Sequence, residues 1–172
     1  MPLAYPVADP AIIRAARADD DAGILAIVND AILNTTAWYD HEPWTAERVA
    51  EWRTGKLADG WPVLVADAAN DVAGFGSFGP FRARQAYAGT AEHSVYVSNT
   101  YRGHGYGRQL LEALIDLARG RGLHTLVGGV DSENAGSLAF HRALGFEEAG
   151  RLREVGRKFD RWLTLVFMQK LL

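Results

Sequence analysis

The 172-residue sequence contains no cysteine. This excludes a disulfide framework, thiolate metal sites and a cysteine nucleophile, and it fits a reducing, cytoplasmic setting. Long hydrophobic runs are also missing. The longest uncharged apolar run is five residues, 24–28, against the ~20 needed to cross a bilayer, so no membrane partner is expected. Excess positive charge is lacking too: 18 Lys and Arg stand against 21 Asp and Glu, a net charge of -3, which argues against a nucleic-acid partner. His41, His93, His104, His124 and His141 show no metal-ligand spacing, so no metal is expected. Pro2, Pro6 and Pro10 fall in the first ten residues with no basic cluster before an apolar stretch. That segment reads as a short loose arm rather than a secretory signal.

What is present describes one ordinary globular domain. The chain is 48% apolar and 23% charged, and its length matches about one domain of ~150 residues. Residues 1–10 are read as the arm and 11–172 as the domain. A first strand is expected over 12–17, then a helix whose start is charge-complemented by Asp19, Asp20 and Asp21 and which fades near 34–36. Thr45 can cap a second helix running to about Ala58. Residues 62–68 and 72–81 read as an antiparallel hairpin turning at Asn70 and Asp71. A strand over 90–98 places Glu92, Ser94 and Tyr96 on one face and His93, Val95 and Val97 on the other. A helix begins at Gly107, a strand covers 125–130, a further helix spans 134–144, and a buried strand covers 162–168. No repeat, linker or low-complexity segment interrupts the chain, and the pattern predicts an α/β domain with a mixed sheet.

Between the 90–98 strand and its helix lies Arg102-Gly103-His104-Gly105-Tyr106-Gly107, followed by Arg108. A glycine-rich turn before a helix N-terminus presents unpaired backbone N–H groups at the positive end of the helix dipole, which suits a phosphate. A purely structural tight turn is the plain alternative. A Walker loop needs Gly-Lys-Ser/Thr, which is absent, and a Rossmann fingerprint needs a third glycine where Arg108 stands. Asp131 at the end of the next strand leaves the nicotinamide oxidoreductase reading a residual place.

Arg102-x-x-Gly105-x-Gly107 after His93-Ser94-Val95-Tyr96-Val97, then Asn134 and Phe140-His141-Arg142-Ala143-Leu144-Gly145-Phe146, resembles the acetyl-CoA-binding core of the GNAT N-acetyltransferase superfamily. Within it, Gly76-Ser77-Phe78-Gly79-Pro80, Glu92 to Val97, and Lys158-Phe159-Asp160-Arg161-Trp162-Leu163 resemble the phosphinothricin and methionine sulfoximine N-acetyltransferase branch. Asp160, where that branch usually has glycine, and Thr164, often acidic there, depart from the pattern at the substrate end. The resemblance implies a mostly antiparallel central sheet flanked by helices, with a V-shaped splay between the two central parallel strands. It implies acetyl-CoA as cosubstrate, with Val95, Tyr96 and Val97 pairing with the pantetheine arm through their backbone. Arg102, Gly103, His104, Gly105, Tyr106, Gly107 and Arg108 would hold the pyrophosphate. Asn134 would lie near the pantetheine, be a helix N-cap, or both. A homodimer with the substrate site near its interface is implied as well.

Acetyl transfer to an amine needs a base, because an aliphatic amine with pKa ~10 is protonated at neutral pH. Glu92, on the strand that forms the cleft, is the candidate base, directly or through water; an exposed strand glutamate is the alternative. His141 is the candidate proton donor to the departing thiolate, or otherwise a packed histidine. Arg82 and Arg84 can clamp a substrate carboxylate, as bidentate guanidinium groups do, or merely be solvated. Phe78 and Tyr87 are candidate substrate walls, and His93 and Ser94 flank the same place. Trp38, Trp44, Trp61 and Trp162 read as core or interface residues. The leading expectation is an N-acetyltransferase of a small amino-acid analogue. The rivals are a peptide or protein acetyltransferase and a CoA-binding module without turnover.

Overall fold

The structure, a computed structural model, describes residues 11–172; the arm expected over 1–10 lies outside them. The elements in chain order are β1 (Ile12–Ala15), α1 (Asp21–Asn34), α2 (Ala46–Ala58), β2 (Val63–Ala68), β3 (Asp71–Pro80), β4 (Thr90–Val97), α3 (Tyr106–Gly120), β5 (Thr125–Asp131), α4 (Ala135–Ala143), β6 (Glu147–Lys158) and β7 (Arg161–Leu171). The strands form one sheet in the order β1-β2-β3-β4-β5-β7-β6, and β4 and β5 are its parallel pair.

The local signals act as their chemistry requires. Thr45 Oγ1 accepts from the Arg48 N–H and starts α2, and Asn134 Oδ1 accepts from the Ser137 N–H and starts α4. Asn70 turns the β2–β3 hairpin at φ 69°, a left-handed conformation that asparagine tolerates. The first strand stops two residues earlier than expected. Asp20, buried, takes the Arg17 N–H at 2.7 Å and both ends of the Arg14 guanidinium at 2.8 Å, pulling the chain out of the ladder into a 3-10 turn. The Arg14 guanidinium holds the Asp20 carboxyl below its usual range.

Each face of the sheet carries its own core. On one side α3 presents Leu110, Leu111 and Leu114 to Leu126, Phe146 and Met168. The approach is close because β3 carries Gly74 and Gly76 beneath it: a Cβ on Gly76 would lie 3.0 Å from Leu114 Cδ1. On the other side Ile24, Val28 and Ile32 of α1 and Val49 of α2 cover Val65 and Phe75. Phe78, expected as a substrate wall, belongs to the α3 side. It is 1% exposed, edge-on to Trp61 and beneath the Arg121 guanidinium. Strand alternation puts it on the face opposite Glu92, so it is a core residue and not a wall.

The central parallel pair diverges. Register runs from Thr90↔Thr125 to His93↔Gly128 and ends there. Beyond that point β4 continues to pair only with β3, and β5 only with β7. The expected splay is therefore present, with its vertex at His93 and Gly128.

Candidate active site

A cavity of about 810 Å³ fills the splay. Residues 94–97 and 129–131 flank it with backbone edges that have no strand partner across the gap. Such edges carry donors and acceptors at the spacing of a ladder, so an extended amide-bearing chain can pair there like an added strand. One end of the cavity is lined by Arg102, Gly103, Gly107, Asn134, Ser137 and Phe140, the other by Ala37, Trp38, Tyr39, Glu92 and Leu165.

At the first end the glycine turn has the conformation that glycine permits. Gly103 and Gly105 sit at φ 83° and 81°, and Gly105 immediately precedes α3. The first-turn N–H groups of this 15-residue helix therefore face the turn with the positive end of the dipole behind them. Arg102 reaches the cavity. Arg108 does not line it: its guanidinium lies 3.4 Å from Glu112 and 3.4 Å from the Ala143 carbonyl. His104 stacks on Tyr106, and its Nδ1 lies 3.1 Å from the Tyr101 and Arg102 carbonyls. The Tyr106 ring is buried in the α3 core, and the Tyr96 ring packs between Trp38 and Phe75 on the other face of the sheet. Tyr96 donates its hydroxyl to the Ala37 carbonyl at 3.2 Å. Of the two, Tyr96 lines the cavity and Tyr106 does not. Val95 and Val97 also turn their side chains to α3.

At the other end Glu92 is half-buried, and its Oε1 lies over Gly129, 3.6 Å from where a Cβ there would sit. Burial pushes its carboxyl up, while the charges of Arg82 and Lys56 pull it down. A carboxylate with that balance is suited to take a proton near neutral pH. Arg82 lies 4.3 Å over the Phe81 ring and donates to the Phe81 carbonyl. Ser94 lines the cavity two residues along the same face. Tyr87 does not reach it. With Phe81, Val127, Phe167 and Gln169 it lines a second cavity of about 300 Å³, and Arg84 reaches neither.

Lys56 was not anticipated among these residues. It belongs to α2 and donates to the Phe78 carbonyl at 3.1 Å. The spacing Val49, Trp52 or Arg53, Lys56 places it on the helix face that meets the sheet, a signal present in the periodicity but masked by the usual solvation of lysine.

His93 and His141, which no spacing rule joined, meet at the vertex. They are 5% and 7% exposed, and their Nε2 atoms are 3.1 Å apart. His141 Nδ1 lies 2.7 Å from the Ser137 carbonyl, which can only accept, so Nδ1 carries hydrogen. In the neutral pair His141 Nε2 then accepts from the His93 Nε2–H. Burial lowers both pKa values, His93 to about 3. The candidate proton donor thus has both nitrogens turned to protein groups. No cluster of three or more metal-ligating side chains occurs among the described residues.

These features agree with known proteins. Residues 26–146 match the acetyltransferase (GNAT) family. An L-methionine sulfoximine/L-methionine sulfone acetyltransferase of Pseudomonas aeruginosa is 49% identical over 92% of this chain and 93% of its own length. A phosphinothricin acetyltransferase of Sinorhizobium meliloti, solved in complex with acetyl-CoA, superposes with TM-score 0.90 at 34% identity, over 95% of this chain and 89% of that one. A ribosomal-protein-alanine N-acetyltransferase of Brucella melitensis superposes with TM-score 0.92 at 46% identity, over 94% and 99%. With its splayed parallel pair, its glycine turn and a match spanning most of its length, this chain belongs to the acetyltransferase (GNAT) family.

Proposed function

We propose that the protein transfers an acetyl group from acetyl-CoA to the α-amine of a small amino-acid analogue of the methionine sulfoximine, methionine sulfone or phosphinothricin kind. The observation that carries this reading is the half-buried Glu92 carboxylate on the cavity wall, held down by the charges of two cations outside the lining, Arg82 and Lys56. An amino-acid substrate brings an ammonium group for the carboxylate and an α-carboxylate for a cation. The relatives named for such substrates support the assignment.

In this reading Gly103, His104, Gly105, Tyr106 and Gly107 receive the pyrophosphate on their main chain, with Arg102 alongside and Arg108 nearby as distant charge. Val95, Tyr96 and Val97 pair with the pantetheine through backbone groups, and Asn134 caps α4 beside it. Glu92 removes the ammonium proton, directly or through one water. The freed amine attacks the thioester carbonyl, the carbon–sulfur bond breaks, and the acylated nitrogen loses its second proton as the thiolate gains one. His141, neutral and with both nitrogens occupied, is assigned to the cavity wall in the resting state. Arg82 meets the substrate carboxylate, with Ser94 beside it.

The second reading, a peptide N-terminus as acceptor, is favoured by the likeness to the ribosomal-protein-alanine acetyltransferase. A thiol-release assay with acetyl-CoA separates the two. Methionine sulfone, methionine sulfoximine and phosphinothricin should be turned over and an Ala-initiated peptide should not; the reverse result would install the peptide reading. A homodimer acting in the cytoplasm completes the proposal. Exposed Leu152, Val155, Phe159 and Trp162 on the β6–β7 hairpin support an interface there, and light scattering on the eluted protein should give twice the chain mass.

A further inference from the structure

Gly79 of β3 stands directly across from Glu92 of β4, on the same face of the sheet. A Cβ on Gly79 would lie 2.6 Å from Lys56 Nζ and 3.8 Å from its Cε. The ammonium therefore occupies the space in which a side chain at position 79 would stand, and side chains at directly opposed positions are close neighbours, with Cβ atoms ~5 Å apart. From these positions we propose that Lys56, seated on Gly79, is a positioning residue that keeps Glu92 in its carboxylate form for proton abstraction. The inference rests on the reading of Glu92 as base.

The other cations of α2 are already committed. Arg48 pairs with Asp40 and Arg53 with Asp21. Among the described residues no carboxylate lies within ion-pairing distance of Lys56, whose one hydrogen bond goes to the neutral Phe78 carbonyl. Burial pulls the Lys56 pKa down, and the charges of Asp59 in the following turn and of Glu92 hold it up, so the ammonium is coupled to Glu92. Glu92 has few other charges around it. Arg82 approaches from the loop after β3, the Tyr96 phenol lies on its own strand, and β5 and β7 present Gly129 and the apolar Leu165. Asp131, further along the same face of β5, accepts from Thr36. Arg82 pulls the Glu92 carboxyl down more than Lys56 does, but it is exposed and open to screening by salt, whereas Lys56 is half-buried on its glycine seat.

The test is the lower limb of the kcat–pH profile with methionine sulfone, measured for Lys56→Met, Lys56→Arg, Gly79→Ala and Glu92→Gln. Removing the charge should move the limb up by about 1 pH unit. Gly79→Ala, which pushes the ammonium off its seat, should move it the same way, and Lys56→Arg should restore it. Thermal stabilisation by acetyl-CoA shows that each variant is folded. If Glu92→Gln abolishes the limb while Lys56→Met and Gly79→Ala leave it in place, Lys56 does not act on the base and the proposal falls alone. A rise in KM for the amino acid with an unmoved limb also overturns it, by making Lys56 a substrate contact. If the limb survives in Glu92→Gln, the base reading itself fails and takes the proposal with it.

Discussion

His93 and His141 share one hydrogen between Nε2 atoms 3.1 Å apart, at the point where the two central strands part. Gly128 makes room for them: a Cβ there would lie 2.7 Å from His93 Cε1 and 3.0 Å from His141 Nε2. The native protein therefore holds two neutral imidazoles where the unfolded chain holds two ordinary ones. Burial depresses both folded pKa values, His93 to about 3, so this contribution to stability is complete above the unfolded value of about 6.5 and is lost progressively as pH falls below it. Each histidine adds at most about 1.4 kcal/mol per pH unit across that window. Urea unfolding at pH 7, 6 and 5 should show the decline, and His93→Phe should make it shallower. In nitrogen-15 spectra His141 should keep its Nδ1–H tautomer and stay uncharged above pH 6.5. A protonated His141 at neutral pH would return it to the role of acid.

The glycine turn separates backbone strain from simple crowding. Gly105→Ala meets no atom within 4 Å, yet must hold φ at 81°, at a cost of about 1 to 2 kcal/mol. It should lower the melting temperature and shrink the further rise given by acetyl-CoA. Gly55→Ala, within α2 and equally uncrowded, should instead raise stability by about 0.4 to 1 kcal/mol. The pair of melting curves, with and without acetyl-CoA, checks both.

Arg82 and Arg84 are two residues apart, yet of the two only the Arg82 charge acts on Glu92. Arg82→Ala should raise KM for methionine sulfone by roughly 10- to 150-fold, the value of a charge-assisted hydrogen bond of about 1.5 to 3 kcal/mol. A carboxylate-free amine should be affected far less. Arg84→Ala should change KM little for either. Steady-state kinetics on both acceptors decides the matter, and an equal loss on the two would remove Arg82 from carboxylate binding.

Phe78→Ala should act on stability rather than on the acceptor. Its ring is enclosed by Trp61 and Arg121 on the α3 face, so truncation should cost about 3 to 5 kcal/mol. The urea midpoint should fall accordingly, with KM for the acceptor unchanged at a temperature where the variant remains folded.

Much of this architecture could be read from the chain because its signals are local. Thr45 and Asn134 announce helix starts by their own side chains, and the spacing of Leu110, Leu111, Leu114 and Ile115 in α3 declares a buried face. Strand β6 gave no such sign. Its residues are almost all exposed and its ladder to β7 shifts register twice, so no two-residue alternation marks it. Glu92 was legible through strand parity and family likeness. Lys56 and the His93–His141 pair were not, because each depends on contacts between elements far apart in sequence. Phe78 misled for a related reason. Its neighbours lead into the loop that carries Arg82, but alternation sends its ring to the face opposite Glu92.

The unpaired edges of 94–97 and 129–131 also divide what mutation can reach. In the proposed function, recognition there resides in peptide groups that every residue except proline carries alike, so side-chain substitutions along the splay should leave the readout of a pantetheine-like chain standing. In the proposed function the acceptor end is written in side chains instead: Glu92 and Ser94 on the cavity wall, with the charges of Arg82 and of the lysine that stands on a glycine acting on Glu92. One half of the reaction is thereby insulated from sequence drift while the other stays open to it. A new amine specificity can be acquired on this scaffold without relearning how to hold the acyl donor.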